Sequence, residues 1–206
     1  LLSIGGWAGR TQWTKIHNVT RFAADTIDYL RTWAVAADAG DEAISLHPSK
    51  HTPAGLDGVD LDVEFAPLSK AAPVVSDLVR ALRPHVSVLS WAGWLSGGVQ
   101  ASAAGGDPDQ DSTAVFQSVG SMIDHVNVMS YIFDPKQFDA VSSVRAWSKM
   151  LGSAERVSIG LCNDHPDCKP GNGGFATAAL AANYSAAAVA NGFGGVMIWN
   201  DNLETL

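Results

Sequence analysis

The chain has 206 residues, 47% of them hydrophobic, with 13 basic against 21 acidic side chains and a formal net charge of −8. That length and apolar content suit a single globular domain over 1–206 and argue against a disordered chain. The acidic balance leaves no basic patch for a nucleic acid or an anionic membrane surface. No run of 18 or more apolar residues occurs, so no membrane span is expected. The N-terminal LLSIGGW has neither the basic start nor the length of a signal peptide.

Apolar strand-like runs alternate with stretches of helical period, the pattern of repeated βα units around a parallel sheet. In chain order, strands are expected at Leu1–Gly5, Gly58–Phe65, Val86–Trp91, His125–Tyr131, Arg156–Leu161 and Gly195–Trp199. Ala23, Ile27, Leu30 and Ala34 mark the first helical face, and Ala71, Val75, Leu78 and Leu82 the second. Val115, Val119 and Met122 mark the third; Ala140, Val144, Trp147 and Leu151 the fourth; the alanine-rich segment around Leu180, Tyr184 and Ala187 the fifth. The long connections Ala36 to Pro53 and Leu95 to Asp111, rich in Gly, Pro, Ser and Asp, read as active-site loops rather than domain linkers.

A parallel (β/α)8 TIM barrel needs eight strands and typically about 250 residues. The expectation is therefore an α/β barrel of which this chain carries six strands, incomplete at its N-terminus and without its last helix. The competing fold is an open doubly wound sheet, but SIGGWAGR does not fit the GxGxxG loop that usually follows its first strand.

Cys162 and Cys168, in CNDHPDC, are expected to form a small disulfide. A metal site using His165 is the weaker option, since two thiols and one imidazole at this spacing match no common zinc pattern. His17, His47, His51, His85, His125 and His165 form no close-spaced motif and read as surface or loop residues, so neither metal nor cofactor is expected. Sequons at Asn18-Val19-Thr20 and Asn183-Tyr184-Ser185 fit N-glycosylation. Together with the cysteine pair they point to a secreted, extracellular chain.

The chemistry concentrates in GLDGVDLDVEF, residues 55 to 65, where four acids fall within eight residues and nothing basic lies nearby. On a strand, Asp60, Asp62 and Glu64 share one face while Val59, Leu61, Val63 and Phe65 share the other. Successive acids are then roughly 6.5 to 7 Å apart along the backbone. Burial and mutual repulsion should raise at least one pKa and keep a proton in the row near neutral pH, as a general acid requires. A solvated edge-strand face would normally mix Thr, Ser, Lys and Glu instead of carrying acids alone.

The spacing Asp57-x-x-Asp60-x-Asp62-x-Glu64 resembles the DxxDxDxE signature of the family-18 glycoside hydrolases, the chitinases and their relatives. Three other segments resemble family strands in the same order: Ser3-Ile4-Gly5-Gly6-Trp7 its SxGG strand, Met129-Ser130-Tyr131 its MxY strand, and Gly195–Trp199 its closing strand. The resemblance runs from the third barrel strand to the eighth. It implies acid catalysis assisted by the substrate's own 2-acetamido group, an exception to the usual two-carboxylate scheme.

Under that resemblance Glu64 would protonate the glycosidic oxygen, Asp62 would bind the acetamido N–H, and Asp60 would share a proton with Asp62. Tyr131 would bind the acetamido carbonyl and Trp199 would floor the sugar site. Met129 and Asn127 would also meet substrate. Asp57, of opposite parity, is structural, and Ser3, Gly5 and Gly6 are packing residues that let the chain approach the acidic strand. Trp7, Trp13, Trp91 and Trp94 are candidates for stacking on further sugar rings, with core packing as the alternative for each.

Where the family usually has an acid or amide after the tyrosine, this chain has Ile132, so Asp134 or Asn127 would have to compensate. The implied partner is a polysaccharide or glycan containing N-acetylglucosamine, cleaved endo-wise at β-1,4 linkages in chitin or the N-glycan core by a monomer. The alternatives are a non-catalytic chitin-binding lectin on the same fold, favoured by Ile132, and an inhibitor of another enzyme, for which no sequence feature speaks.

Overall fold

A computed structural model describes residues 1–6, 12–37, 56–64, 68–94, 111–134, 138–163, 168–171 and 173–199. Six strands alternate with five helices: β1 (Leu2–Gly5), α1 (Val19–Ala37), β2 (Gly58–Asp62), α2 (Leu68–Leu82), β3 (Val88–Trp94), α3 (Thr113–Val119), β4 (His125–Met129), α4 (Ala140–Leu151), β5 (Val157–Cys162), α5 (Ala178–Asn191) and β6 (Gly195–Trp199). The strand order is β1-β2-β3-β4-β5-β6, so each strand follows its predecessor in the chain through a helix. This is the winding of consecutive parallel βα units, as the alternation of periods predicts. None of the described helices is long and apolar enough to cross a membrane.

Packing divides the chain into two compact units, Leu1–Trp91 with Ala114–Asp124 and Ala92–Thr113 with His125–Leu206. In the first, β1 and β2 pair parallel with Ser3 opposite Asp60, and β2 and β3 pair parallel with Asp60 opposite Ser90. Val59, Leu61 and Val63 are buried, as are Ala71, Val75, Leu78 and Leu82 of α2 and Val115 and Val119 of α3. Each such valine or leucine contributes about 1.5 to 3 kcal/mol when fully buried. Trp91 meets Phe116 edge to face, ring centroids 5.3 Å apart.

The second unit pairs β4 with β5 and β5 with β6, again parallel. Strand β5 is buried along its whole length, which accounts for its largely apolar sequence, interrupted only by Ser158. Asp139 caps α4, its carboxylate accepting from the Val141 and Ser142 amides, and Gly152 ends it in a left-handed conformation at φ 69°. Thr177 caps α5 by accepting from the Leu180 amide.

Three strand ends differ from the sequence expectation in ways that bear on function, the first at β4, which stops at Met129 and leaves Tyr131 two residues beyond it. Strand β2 ends at Asp62, so Glu64 lies two residues beyond it rather than within it. Strand β3 continues to Trp94 instead of stopping at Trp91. Gly93 permits the extension, because a Cβ there would lie 2.9 Å from both Trp147 and Val126 side chains, while Trp147 Nε1 donates to the Trp94 carbonyl at 3.1 Å. The third helix also shortens, becoming a 3-10 turn at Gly120–Met122.

Candidate active site

The acids of β2 occupy a setting that their neighbours create. Asp60 is half-buried between two hydroxyls: Ser3 Oγ donates to Oδ2 at 3.2 Å, and Ser90 Oγ makes a short hydrogen bond to Oδ1. Asp62 lies further along the strand, with Oδ1 buried and without a hydrogen-bond partner. Glu64 is buried just past the C-terminal end of the strand, at 8% exposure. Asp57, before the strand, holds β3 in place through its carbonyl, which accepts from the Ser87 and Val88 amides at 3.0 and 3.1 Å.

Gly5 and Gly6 make the close approach to Asp62. Gly5 sits at φ 121°, and a Cβ on it would lie 1.9 Å from the Asp62 carbonyl oxygen. The Gly6 amide donates to that oxygen at 2.8 Å, and its missing side chain leaves Asp62 Oδ2 directly above the backbone. No residue with a Cβ could stand at Gly5 without separating β1 from β2.

Burial first, then the charges of Glu64 and Asp60, push the Asp62 carboxyl up from 3.8 to about 7. Burial also raises Glu64. Carboxyls whose pKa burial raises, with no cation among their hydrogen-bond partners in the described residues, are suited to donate a proton and receive one back. Burial is the main cause of the upward shift in both.

In the second unit, Tyr131 follows β4 and Trp199 closes β6, and their rings stack at 5.2 Å with 8° between planes. Gly160 and Gly174 leave the room: a Cβ on the former would come within 3.0 Å of the Tyr131 ring, and one on the latter within 2.5 Å of its Cα. Met129 is buried and Asn127 half-buried on β4. Ile132 is 41% exposed at φ 58°, a left-handed conformation that a β-branched residue adopts only under strain. Its amide donates to the Gly173 carbonyl at 2.9 Å, which holds the segment in place. The Cys162–Cys168 disulfide is formed.

Other sequence candidates fall elsewhere. Trp13 and Trp91 are buried at 3% and 1% exposure, so they are core residues rather than sugar platforms. Trp94 is half-buried at the end of β3. Trp7, Phe65, His47, His51, His165 and most of the two long loops lie outside the described residues. His17 and His85 are exposed, whereas His125 is a correction to the surface reading: it opens β4, half-buried, with Nε2 2.6 Å from Ser158 Oγ. Asn18 and Asn183 are both exposed, the second in the middle of α5.

Among the described residues no group of three His, Cys, Asp or Glu could hold a metal ion. A cleft of about 780 Å³ beside β1 and the start of α1 is lined by Ile4, Trp13, Ile16, Arg21 and Phe22, and by none of the three acids. Ser90 is the residue that sequence reasoning missed. A serine in a buried strand is an ordinary sight, and only the register that sets it opposite Asp60 distinguishes it.

The family model for glycosyl hydrolases family 18 matches residues 1–169. No curated protein matches the chain. Among solved structures the chain is similar to a GH18 chitinase from Pseudoalteromonas aurantia, at 21% identity and TM-score 0.64, covering 98% of this chain and 70% of that one. It is similar to a chitinase from Chromobacterium violaceum at 14% identity and TM-score 0.57, covering 97% and 75%. It is equally similar in fold to a xylanase-A-amylase inhibitor protein, at 21% identity and TM-score 0.57, covering 99% and 69%. At such identities the likeness is one of fold, the TIM barrel, of which the described residues carry six parallel strands.

Proposed function

Since the chain belongs to family 18 of the glycosyl hydrolases, we propose that it is a retaining endo-hydrolase of β-1,4 linkages to N-acetylglucosamine, in chitin or in the chitobiose core of N-glycans. The observation that carries this reading is the pair Asp62 and Glu64 at the C-terminal end of β2: the first half-buried and the second buried, both raised by burial, with no cation bonded to them among the described residues. Barrel enzymes keep their chemistry at that end of the strands. The relatives named as chitinases support the substrate class.

In this mechanism Glu64 gives its proton to the glycosidic oxygen as the bond to the anomeric carbon breaks. The substrate's acetamido oxygen attacks that carbon from the other face, and its N–H donates to Asp62, which stabilises the positive charge of the oxazolinium-like intermediate. Glu64, now a carboxylate, takes a proton from the water that opens the ring and returns to its starting state. Within the second unit, the stacked rings of Tyr131 and Trp199 offer an apolar face of the kind that packs on a sugar. No metal or redox cofactor enters these steps. The enzyme acts as a secreted monomer.

The test is product analysis by mass spectrometry on chitin oligomers and on a high-mannose glycoprotein, with wild type and Glu64→Gln. Wild type should release chitobiose-type products or intact glycans, and Glu64→Gln should lose at least about 10²-fold in rate. Full turnover by Glu64→Gln would refute the assignment. The second reading, a sugar-binding lectin, draws on Ile132 in place of a polar residue. Tight binding of chitin fragments without cleavage between pH 3 and 8 would establish it instead.

A further inference from the structure

Past Met129 the chain leaves β4 through Tyr131, Ile132 and Phe133, and past Cys162 it leaves β5. A later segment, 173–176, joins these two exits. At the first, the Ile132 amide donates to the Gly173 carbonyl at 2.9 Å and the Gly173 amide donates to the Phe133 carbonyl at 2.8 Å. At the second, the Cys162 amide donates to the Gly174 carbonyl and the Ala176 amide to the Cys162 carbonyl, both at 2.8 Å. Segment 173–176 is thus a short backbone bridge between the residues around Tyr131 and Cys162. Cys162 in turn lies opposite Trp199 on β6, and the Asn163 amide donates to the Trp199 carbonyl at 3.2 Å. One continuous set of backbone bonds therefore links the surroundings of the two stacked rings.

The bridge passes too close to its neighbours for any side chain. A Cβ on Gly173 would fall 2.3 Å from the Phe133 ring, and one on Gly174, at φ 79°, would fall 2.2 Å from the Ser130 carbonyl oxygen and 2.5 Å from Tyr131 Cα. Glycine also loses the most backbone freedom on ordering, so Gly171-Asn172-Gly173-Gly174 is a costly stretch to hold in one conformation. The Cys162–Cys168 disulfide offsets that cost, because it ties the chain just before the bridge to the strand residue on which the bridge pairs. Both cysteines are buried, which makes this a permanent tether rather than an exchangeable one. We infer that the disulfide is a positioning device for the Tyr131–Trp199 face: by tethering the glycine bridge, it holds the two rings in the stacked arrangement on which a sugar packs. The sugar in that statement rests on the proposed function, whereas the tether's hold on the rings does not.

The experiment uses Cys168→Ala in the full chain, with Cys168→Ser, isosteric with the thiol, if the alanine variant fails to fold. Far-UV circular dichroism and Tm verify that each chain is folded at the assay temperature. The stacked pair is read as the near-UV circular dichroism difference between a chain and its Trp199→Phe form. Loss of the tether should cut that difference by half or more. Binding of chitotriose, measured by calorimetry, should weaken about tenfold, as expected when two side chains must be immobilised again on binding. Val144→Ala, a truncation in the core under α4, serves as the control for general destabilisation and should leave both readouts as in wild type.

An unchanged near-UV difference, chitotriose bound as tightly as by wild type, or equal losses in Val144→Ala overturns the inference. If wild type neither binds nor cleaves chitotriose but the near-UV difference falls as expected, the sugar reading fails and the tether's hold on the rings stands.

Discussion

Asp62→Asn should abolish much of the protein's loss of stability toward alkaline pH. Asp62 is held at about 7 against an ordinary 3.8, so the folded state binds this proton more tightly than the unfolded chain. Below 3.8 both states are protonated and the group contributes nothing. Between 3.8 and 7 the unfolded state releases its proton first, so stability falls as pH rises, and above 7 the full penalty is present. A displacement of about three on the pH scale corresponds to about 4 kcal/mol, and water reaching the half-buried carboxyl reduces this to about 2 to 4 kcal/mol.

Asparagine carries no charge at any pH, so it adds a constant offset while the wild type changes. The assay is equilibrium unfolding in urea at intervals from pH 4 to 9, for wild type and Asp62→Asn, with the m-values checked for equality. The difference in unfolding free energy should shift by about 2 to 4 kcal/mol in favour of the variant across that range, most of it between pH 4 and 7. Glu64, also raised by burial, tilts both curves the same way and leaves much of the difference intact. Parallel curves, or a wild type that gains on the variant as pH rises, would refute the reasoning.

Gly5→Ala should destabilise the chain by about 3 kcal/mol or more, because its Cβ would fall 1.9 Å from a backbone oxygen at a φ of 121°. A thermal midpoint within a degree of wild type would show that β1 and β2 do not meet there as described. Ile132→Asn should stabilise by about 1 kcal/mol, raising Tm by about 2 to 4 °C, because asparagine tolerates the left-handed conformation that strains isoleucine. A fall in Tm would mean that the apolar contacts of Ile132 outweigh the strain.

Much of the fold was legible along the chain because its signals are local. Strand β6 spans the residues expected, Gly195–Trp199, and α4 the expected Ala140–Leu151, between an aspartate cap and a glycine stop. Boundaries set by distant partners were not legible. Strand β3 runs on to Trp94 because Gly93 leaves room for Trp147 and Val126, two residues far along the chain. The exposure of a tryptophan is likewise a property of its surroundings: Trp13 and Trp91 read as possible sugar platforms and are core.

The acidic row shows the same division. Strand parity alone put Asp60, Asp62 and Glu64 together and predicted a retained proton, since side-chain direction on a strand and repulsion between close carboxyls are short-range facts. How strongly each acid is withdrawn from water was decided by tertiary structure. Pairing with β1 and β3 brings two hydroxyls to Asp60, while Asp62 Oδ1 is buried without a partner and Glu64 is buried at the end of the strand. The hydrogen bonds to Asp60 come from neighbours 30 and 57 residues away in the sequence, and no local pattern encodes them.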